Sequence, residues 1–322
     1  MSLKKIYLIG EVGQGFEGRL NLAIKHIRFA AKSKIDAIKF QMVFAEDLAT
    51  SDYKYYKLFK SLEINLKGWK IINKICREEK IDLILDIFGD RSFEIAKKIN
   101  PYAIKIHPTD IDNFNFLKKI NNSGFKKIIL GIGGAYKNEI LYAKKILKKK
   151  DVIFMLGIQN YPNSINDNLL IKFDKLKDIL KSKKVNLGFA DHTDFKNKNY
   201  YEYIAAMCFG LGVNYFEKHF TINRKLKLED YETAIEPKDM VNLSKKLKEF
   251  SLIYGRDDFS KNFLSKNEKK YRFSVRRSAI AKKLIKKDEK ISFNNIEFKR
   301  SSKKGCTPNL VLGKKAKKNI FQ

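Results

Sequence analysis

Residues 185–221 read VNLGFADHTDFKNKNYYEYIAAMCFGLGVNYFEKHFT and contain two short apolar runs separated by a longer stretch. Each run ends in a histidine inside a charged or hydroxyl-bearing cluster, His192 after the first run and His219 after the second. If the runs are neighbouring strands of one parallel sheet, both imidazoles emerge at the same edge, near enough to share a divalent metal ion. The stretch therefore predicts two strands of an enzyme that carry a metal-binding pair.

The same alternation of short apolar runs and amphipathic stretches extends from residue 5 to about residue 250. Eight such repeats favour a closed (β/α)8 barrel, a TIM barrel, over an open doubly wound sheet. The predicted strands are Ile6–Gly10, Ala37–Gln41, Leu83–Ile87, Ala103–Ile106, Lys127–Ile132, Val152–Leu156, Val185–Phe189 and Val213–Glu217. Helices are predicted between them, among others at Leu20–Lys32, Leu66–Glu79, Asn138–Lys149 and Leu170–Lys181.

The pattern changes after the eighth repeat. Residues 1–254 form the predicted barrel, 255–270 a polar linker, and 271–322 a small β-rich domain. Segments with β character in that domain are 278–281, 291–293 and 296–298. A domain of ~50 residues buries little apolar surface, so we expect it to dock on another part of the protein.

Composition limits the class of protein. The net charge of +31 comes almost entirely from lysines spread along the whole chain, without the arginine and aromatic patterns typical of nucleic-acid sites. No apolar run approaches the roughly 18 residues needed to cross a bilayer. The N-terminus lacks the apolar core of a signal peptide, and the three cysteines form no disulfide framework. These properties predict a cytoplasmic protein with no nucleic-acid partner and no membrane span.

The predicted strand ends carry many polar side chains, and reactive groups of such barrels lie at these ends. A single lysine there is structural about as often as catalytic, but two lysines from different strands suit a ligand with several negative charges. Gly133-Gly134 fits either an ordinary turn or a loop whose N–H groups bind an anion. His107 precedes a proline and is expected to pack rather than bind. The polar strand-end residues are Glu11, Lys39, Gln41, Asp86, Lys105, Asp110, Gln159 and Tyr161.

These clusters resemble those of the sialic acid synthase family, which includes N-acetylneuraminate, legionaminate and pseudaminate synthases. The most specific matches are Asp191-His192-Thr193 and Glu217-Lys218-His219-Phe220-Thr221. Further matches occur in the same order over nearly the whole chain, among them Gly10–Gly13, Lys39–Gln41, Tyr161-Pro162, Arg276–Ser278 and Gly313–Ala316. The resemblance implies a TIM barrel followed by a small antifreeze-like (SAF) domain of the β-clip type.

The resemblance also implies an activity, the metal-dependent condensation of phosphoenolpyruvate with an N-acetylated amino-sugar aldehyde. The product would be a nine-carbon α-keto acid for surface glycan synthesis, released with phosphate. In this family His192 and His219 would hold Mn²⁺ or Mg²⁺. Catalytic roles are implied for Glu11, Lys39, Gln41 and Asp110, and substrate binding for Lys105, Asn113, Gln159, Tyr161, Asp230 and Arg300.

The family resemblance has a consequence for assembly. Arg300 belongs to the small domain, and in the family this domain reaches the barrel of the other subunit. A domain-swapped homodimer is therefore implied. The small domain of this chain departs from the family in two ways, because Ser301-Ser302 follow Arg300 and the chain stops before the usual last strand.

Five strand-end positions also depart from the family, whose members carry serine or threonine hydroxyls there to bind phosphate. An aspartate repels a phosphate, and each lost hydroxyl weakens binding by about 1 kcal/mol. The five positions are Asp86, Pro108, Gly131, Gln159 and Ala190.

Three interpretations of these departures stay open. The chain is a divergent synthase in which glycine N–H groups replace the hydroxyls, an aldolase or lyase of the same ancestry acting on another acidic substrate, or a non-catalytic relative that binds a sugar or a partner enzyme. The first is favoured because the lysines and the histidine pair persist together.

Overall fold

The structure is a computed structural model that describes residues 6–158, 160–181, 185–255, 263–302 and 305–321. The chain divides into two compact units, one spanning Ser2–Gly255 and the other Arg256–Gln322 together with Met1. Among the helices of the described residues, none combines the length and apolar character that a membrane crossing requires.

The first unit is a closed barrel of eight parallel strands, each paired with the next in chain order, and the eighth paired with the first. This confirms the predicted TIM barrel and excludes the open sheet. The strands are β1 (Tyr7–Gly13), β2 (Ala37–Met42), β3 (Asp82–Ile87), β4 (Ala103–Ile106), β5 (Lys127–Gly131), β6 (Asp151–Gly157), β7 (Asn186–Asp191) and β8 (Tyr215–His219).

Helices cover the outside of the barrel, and their apolar stripes face the strands. In α4, for example, the buried Trp69, Ile72 and Cys76 recur at helical spacing, and the side chain of Asn65 caps the first turn. The helices of this unit are α1 (Leu20–Lys32), α2 (Ala45–Leu48), α3 (Tyr56–Ser61), α4 (Leu66–Glu78), α5 (Asp90–Ile99), α6 (Phe114–Asn121), α7 (Lys137–Ile146), α8 (Lys172–Leu180), α9 (Tyr201–Gly210) and α10 (Pro237–Tyr254).

Three strands continue at least two residues beyond the residues at which the sequence analysis ended them. β1 reaches Gly13, β7 reaches Asp191 and β8 reaches His219. The apolar runs stop earlier, but the ladder of main-chain hydrogen bonds does not depend on side-chain polarity. Polar residues such as Glu11 are therefore part of the sheet, which holds their side chains at the mouth of the barrel.

The second unit has a small core and an antiparallel pair of strands, β9 (Ser278–Ala281) and β10 (Ile296–Lys299). Residues 291–293, predicted to have β character, are not a strand. Ser292 and Asn295 form a turn instead, in which the Asn295 N–H donates to the Ser292 carbonyl oxygen. The core consists of Ala281, Ile285, Ile291, Ile296 and Ala316.

Two helices complete the second unit, α11 (Lys266–Val275) and α12 (Pro308–Val311). Helix α11 begins inside the segment predicted as a linker, because Ser265 caps its first turn and Glu268 closes the capping box. That Ser-x-x-Glu signal was present in the sequence. The identity of the unit as an antifreeze-like domain stays a prediction.

Candidate active site

A cavity of about 200 Å³ lies among the carboxyl ends of the barrel strands. It brings together eight of the twelve predicted site residues: Glu11, Lys39, Gln41, Lys105, Tyr161, His192, His219 and Asp230. The other residues that line it are Gln14, Asp86, His107, Pro108 and Glu217. Side chains from across the barrel therefore meet in one polar cavity.

Lys39 lies at the centre of a buried charge cluster in this cavity. Its Nζ atom contacts the carboxylate of Glu11 and lies 3.3 Å from Oδ2 of Asp86 and 3.6 Å from Oε1 of Glu217. Lys105 donates to the same Oε1 atom of Glu217 at 2.7 Å. Two lysines and three carboxylates thus compensate one another almost without solvent, since the Lys39 side chain is 1% exposed.

The carboxylates of this cluster differ in their affinity for a proton. Burial raises the pKa of Glu11 to about 8, and the nearby Lys39 only partly offsets this. Burial also disfavours ionised Glu217, but Lys105 and Lys39 outweigh it and lower the pKa of Glu217 to about 2. Of these two carboxylates, Glu11 is therefore the one suited to exchange a proton near neutral pH.

His192 and His219 face each other, with ring centroids 5.3 Å apart, and the ring of Tyr161 lies against both. The Nδ1 atom of His192 is 2.7 Å from the carbonyl oxygen of Ile158, which fixes Nδ1 as the protonated nitrogen and leaves Nε2 with its lone pair. The Nδ1 atom of His219 is buried with no hydrogen-bond partner among the described residues.

Burial lowers the pKa of both imidazoles, so each is in the neutral form that binds a metal ion. The unpartnered ring nitrogen of His219 supports the same interpretation. Among the described residues, no third histidine, cysteine or carboxylate joins the pair in a ligand group. The pair offers two imidazole nitrogens, and a divalent transition-metal ion held by them would take its remaining ligands from water and substrate.

Lys218 and Asp191 connect the two histidine-bearing strands. The Nζ atom of Lys218 lies 3.1 Å from Oδ2 of Asp191 and donates to the carbonyl oxygen of Thr193 at 3.2 Å. The N–H of Thr193 donates to Oδ1 of Asp191 at 2.8 Å. These buried contacts fix the backbone on either side of His192 and next to His219.

Hydrogen-bonded polar groups beside the histidine pair form another part of the cavity wall. The hydroxyl of Tyr161 donates to the carbonyl oxygen of Asp230 at 2.5 Å, and burial raises the pKa of the Asp230 carboxyl to about 6. Gln14 donates its backbone N–H to Asp230 at 3.3 Å and its side-chain amide to Gln41 at 3.0 Å. The sequence analysis assigned no role to Gln14, although it directly follows the turn at Gly13, where φ is +58°.

Four predicted site residues are not among those that line the cavity. Asn113 caps α6 by accepting a hydrogen bond from the N–H of Phe116 at 3.2 Å, a role that asparagine commonly has before a helix. Asp110 follows His107 and Pro108 in the loop after β4 and accepts a hydrogen bond from the Thr109 hydroxyl at 3.3 Å. Gln159 lies outside the described residues. Arg300 lies in the second unit, and its role at another subunit stays a prediction.

His107 and Asp86 take positions that the sequence analysis did not anticipate. The ring of His107 packs against Phe88, with ring centroids 5.6 Å apart, but it also lines the cavity. His107 therefore packs as expected, but its ring is also accessible from the cavity. Asp86, expected to repel a phosphate, has its charge compensated by Lys39. The sequence suggested Glu11 or Glu217 as an ion-pair partner of Lys39, and the structure adds Asp86 to both.

Comparison with known proteins identifies relatives across the barrel and beyond. The model of the NeuB family matches residues 26–258. The N,N'-diacetyllegionaminic acid synthase of Campylobacter jejuni is 30% identical over 317 residues, which cover 92% of this chain and 91% of that protein. The pseudaminic acid synthase of the same species (serotype O:2) is 28% identical over 341 residues, covering 98% of this chain and 94% of the relative.

Solved structures show the same similarity. The N-acetylneuraminic acid synthetase of Leptospira borgpetersenii, crystallised with citrate, superposes with a TM-score of 0.74 at 27% identity. The superposition covers 84% of this chain and 92% of that one.

Proposed function

This chain belongs to the NeuB family, and on that premise we propose that it condenses phosphoenolpyruvate with an N-acetylated amino-sugar aldehyde to give a nonulosonic acid and phosphate. The observation that carries the proposal is the meeting of two lysines and two neutral histidines in one cavity at the mouth of the barrel. The lysines suit an anionic donor and the histidines a divalent ion. We infer a transferase that builds a surface glycan precursor.

The reaction forms one carbon–carbon bond and breaks one carbon–oxygen bond. C3 of phosphoenolpyruvate attacks the aldehyde carbon, water adds to C2, and the bond from C2 to the phosphate oxygen breaks. The two protons of the water end on the sugar alkoxide and on phosphate. No oxidant or reductant is required.

The residues that line the cavity would have different roles in this reaction. Lys105, which shares Glu217 with Lys39, would bind the donor's negative charge at the barrel centre. Glu11 would take a proton from water when it is ionised. The wall that contains Gln41, Tyr161 and Asp230 offers hydrogen bonds to the sugar. A Mn²⁺ or Mg²⁺ ion held by His192 and His219 would polarise the aldehyde carbonyl.

The test is phosphate release by the purified protein with Mn²⁺, phosphoenolpyruvate and a panel of 2-acetamido sugars. We expect release that depends on both sugar and metal, and its loss in His192→Ala and in chelated protein. Lys60→Met, an exposed lysine of α3, is the matched surface control and should retain full activity. Folded, metal-loaded protein that releases no phosphate with any sugar would contradict the proposal.

We also propose that the enzyme is a cytoplasmic homodimer in which Arg300 of one subunit completes the site of the other. Arg300→Ala and Glu11→Gln would then each be inactive alone. A mixture of the two, refolded together, would regain activity because one site in the mixed dimer keeps both residues. Absence of complementation in a verified mixed dimer would place Arg300 in its own subunit's site or in none.

A second candidate is an aldolase or lyase that acts on a less highly charged acid. The composition of the cavity lining favours this candidate. Four carboxylates and two lysines line the cavity, and this balance suits a substrate with fewer negative charges. Such an enzyme would cleave or form the same carbon–carbon bond with a keto acid in place of the enol phosphate. Product formation from pyruvate and the sugar, without phosphoenolpyruvate, would support it.

A further inference from the structure

The positive charges of the two cavity lysines are already compensated by carboxylates, which weakens their attraction for an incoming anion. Both already contact buried carboxylates, and the cavity lining has an excess of carboxylates over lysines. A ligand with a carboxylate and a phosphate therefore needs another strong donor in the cavity. The four carboxylates are Glu11, Asp86, Glu217 and Asp230, and the two lysines are Lys39 and Lys105.

His107 lies where such a donor is needed. It lines the cavity directly after β4, and no described carboxylate lies within ion-pair distance of its ring. Packing against Phe88 holds one side of the ring. Its Nδ1 atom is engaged with the Thr109 hydroxyl at 2.9 Å, and no described residue hydrogen-bonds Nε2. Nε2 is therefore the nitrogen open to a ligand.

A short hydrogen-bond chain fixes the orientation of this imidazole. In the neutral ring, Nδ1 of His107 accepts a hydrogen bond from the backbone N–H of Thr109 at 3.4 Å. In the imidazolium, Nδ1–H donates instead to the Thr109 hydroxyl, which itself donates to Oδ2 of Asp110 at 3.3 Å. The carboxylate of Asp110 thus stabilises a positive charge on His107 through the intervening hydroxyl, as a carboxylate stabilises a catalytic imidazolium.

We propose that His107, as an imidazolium, binds the phosphate group of the enol donor through Nε2–H and protonates that phosphate as it leaves, while Thr109 and Asp110 are positioning residues for the ring. The inference rests on the proposed phosphoenolpyruvate-dependent function. It gives Asp110 an indirect role in place of direct contact with the substrate. It also provides a hydrogen-bond donor for the phosphate at the end of β4. Pro108, the next residue, has no hydroxyl that could bind phosphate.

The charges around His107 make its protonation depend on the ligand. In the ligand-free protein, burial lowers the pKa of His107 to about 4; Asp86 opposes the shift, whereas Lys105, Lys39 and His192 add to it. A phosphate dianion beside Nε2 favours the imidazolium. Phosphate binding and proton uptake by His107 are therefore coupled.

The proton balance of the step closes without another reactant. When the bond from C2 to oxygen breaks, the electron pair goes to the phosphate oxygen, and the Nε2 proton of His107 transfers to it. The water that adds to C2 releases two protons. One ends on the sugar alkoxide and the other restores the His107 imidazolium.

The first experiment is a pH titration of the full-length, metal-free protein labelled with ¹⁵N-histidine. The chain has only four histidines, so His107→Gln and His26→Gln assign the resonances. With saturating inorganic phosphate, we expect the proton affinity of His107 to rise at least tenfold, whereas that of His26 stays unchanged. Phosphate at 50 mM that leaves the His107 titration unaltered would overturn the proposal.

Kinetics separate phosphate binding from proton transfer. His107→Gln keeps a hydrogen-bond donor but no transferable proton, so we expect kcat to fall about 100-fold with KM for phosphoenolpyruvate changed less than fivefold. Thr109→Val should lower kcat and reduce the phosphate-induced rise in His107 proton affinity, and Thr109→Ser should restore both. An unaltered kcat in His107→Gln would overturn the catalytic role.

The two proposals fail in distinguishable ways. If no sugar supports phosphate release, the proposed function is wrong, but the histidine titration still reports whether His107 binds phosphate. If phosphate is released normally by His107→Gln, the function stands and the role of His107 does not.

Discussion

The Nζ atom of Lys39 lies 3.3 Å from Oδ2 of Asp86, and both side chains are 1% exposed. The aspartate that was expected to repel a phosphate is thus one of three carboxylates that share a single buried lysine. Its charge is compensated, but the same contact draws on the positive charge that an anionic donor would use. On the proposed function, the pair would therefore weaken binding of the donor without excluding it.

Removing the charge of Asp86 should strengthen donor binding. In Asp86→Asn the attraction of Lys39 becomes available to the donor, and we expect KM for phosphoenolpyruvate to fall about tenfold, roughly 1.4 kcal/mol. Steady-state kinetics at saturating sugar provide the measurement. Asp82→Asn, at the opposite end of β3, is the matched control and should leave KM unchanged. A KM that rises in Asp86→Asn would show that the ion pair positions Lys39.

Lys39 should also be essential for stability. Lys39→Met leaves Glu11, Asp86 and Glu217 without their shared cation, and breaking a buried pair in this way typically costs 3–5 kcal/mol. Urea unfolding at pH 7 measures the loss. The double variant Lys39→Met/Asp86→Asn should regain part of the loss, because one of the uncompensated charges is gone. Equal stability of the single variant and the native protein would contradict the charge cluster.

The histidine pair should bind a metal independently of the third histidine in the cavity. We expect Mn²⁺ affinity, measured by calorimetry, to fall at least 100-fold in His192→Ala and in His219→Ala. His107→Ala should stay within twofold of the native protein, because His107 is not part of the pair. If all three variants lose affinity equally, the metal site includes His107 and its assigned role changes.

Lys218 should influence the metal although it is not a ligand. Its contacts to Asp191 and Thr193 hold the backbone beside both histidines, and loss of such outer contacts typically lowers metal affinity 10–100-fold. Lys218→Met keeps most of the side-chain volume, so calorimetry with Mn²⁺ isolates the loss of the charge and its hydrogen bonds. Native affinity in this variant would assign Lys218 to stability alone.

His26 should make the barrel sensitive to acid. Burial lowers its pKa to about 4 from an ordinary 6.5, so its neutral form is the one compatible with the folded state. The stability of the fold is unaffected by His26 above pH 6.5. It decreases progressively as the pH falls from 6.5 towards 4, because in this range the unfolded chain takes up a proton on His26 and the folded chain does not. We expect a loss of about 3 kcal/mol over this window.

The variant His26→Gln should remove that part of the pH dependence, because glutamine can donate to the Leu22 carbonyl oxygen but does not titrate. Urea unfolding of both proteins at pH 7 and pH 4.5 gives the comparison. A parallel loss in the two proteins would show that the other buried histidines and carboxylates cause the acid sensitivity.

The sequence predicts the barrel well because strands and helices each have a local pattern. Helix α1 spans Leu20–Lys32 as predicted, and the helix predicted to end at Glu79 ends at Glu78. The strand ends were less predictable. The apolar runs mark the buried part of each strand, whereas β1 and β8 continue into polar residues whose hydrogen bonding depends on neighbours far away in the chain.

The candidate site was predictable in its composition and less so in its arrangement. The lysines and the two histidines could be identified because ionisable groups at the ends of apolar strands need a reason to be there. Asn113 could have been identified as a helix cap from its position before α6. The cavity-facing positions of Gln14 and His107 depend on loop conformation, which no short pattern in this chain specifies.

The closure of the barrel between β1 and β8 has a consequence for biosynthesis. Glu11 pairs in register with His219, so the first and last strands supply adjacent parts of one cavity. A nascent chain that has completed seven strands holds both lysines and His192 but cannot assemble the site. Incomplete translation products therefore carry many of the charged site residues but are inactive. Activity requires that the eighth strand has been synthesised and has paired with the first, which closes the barrel.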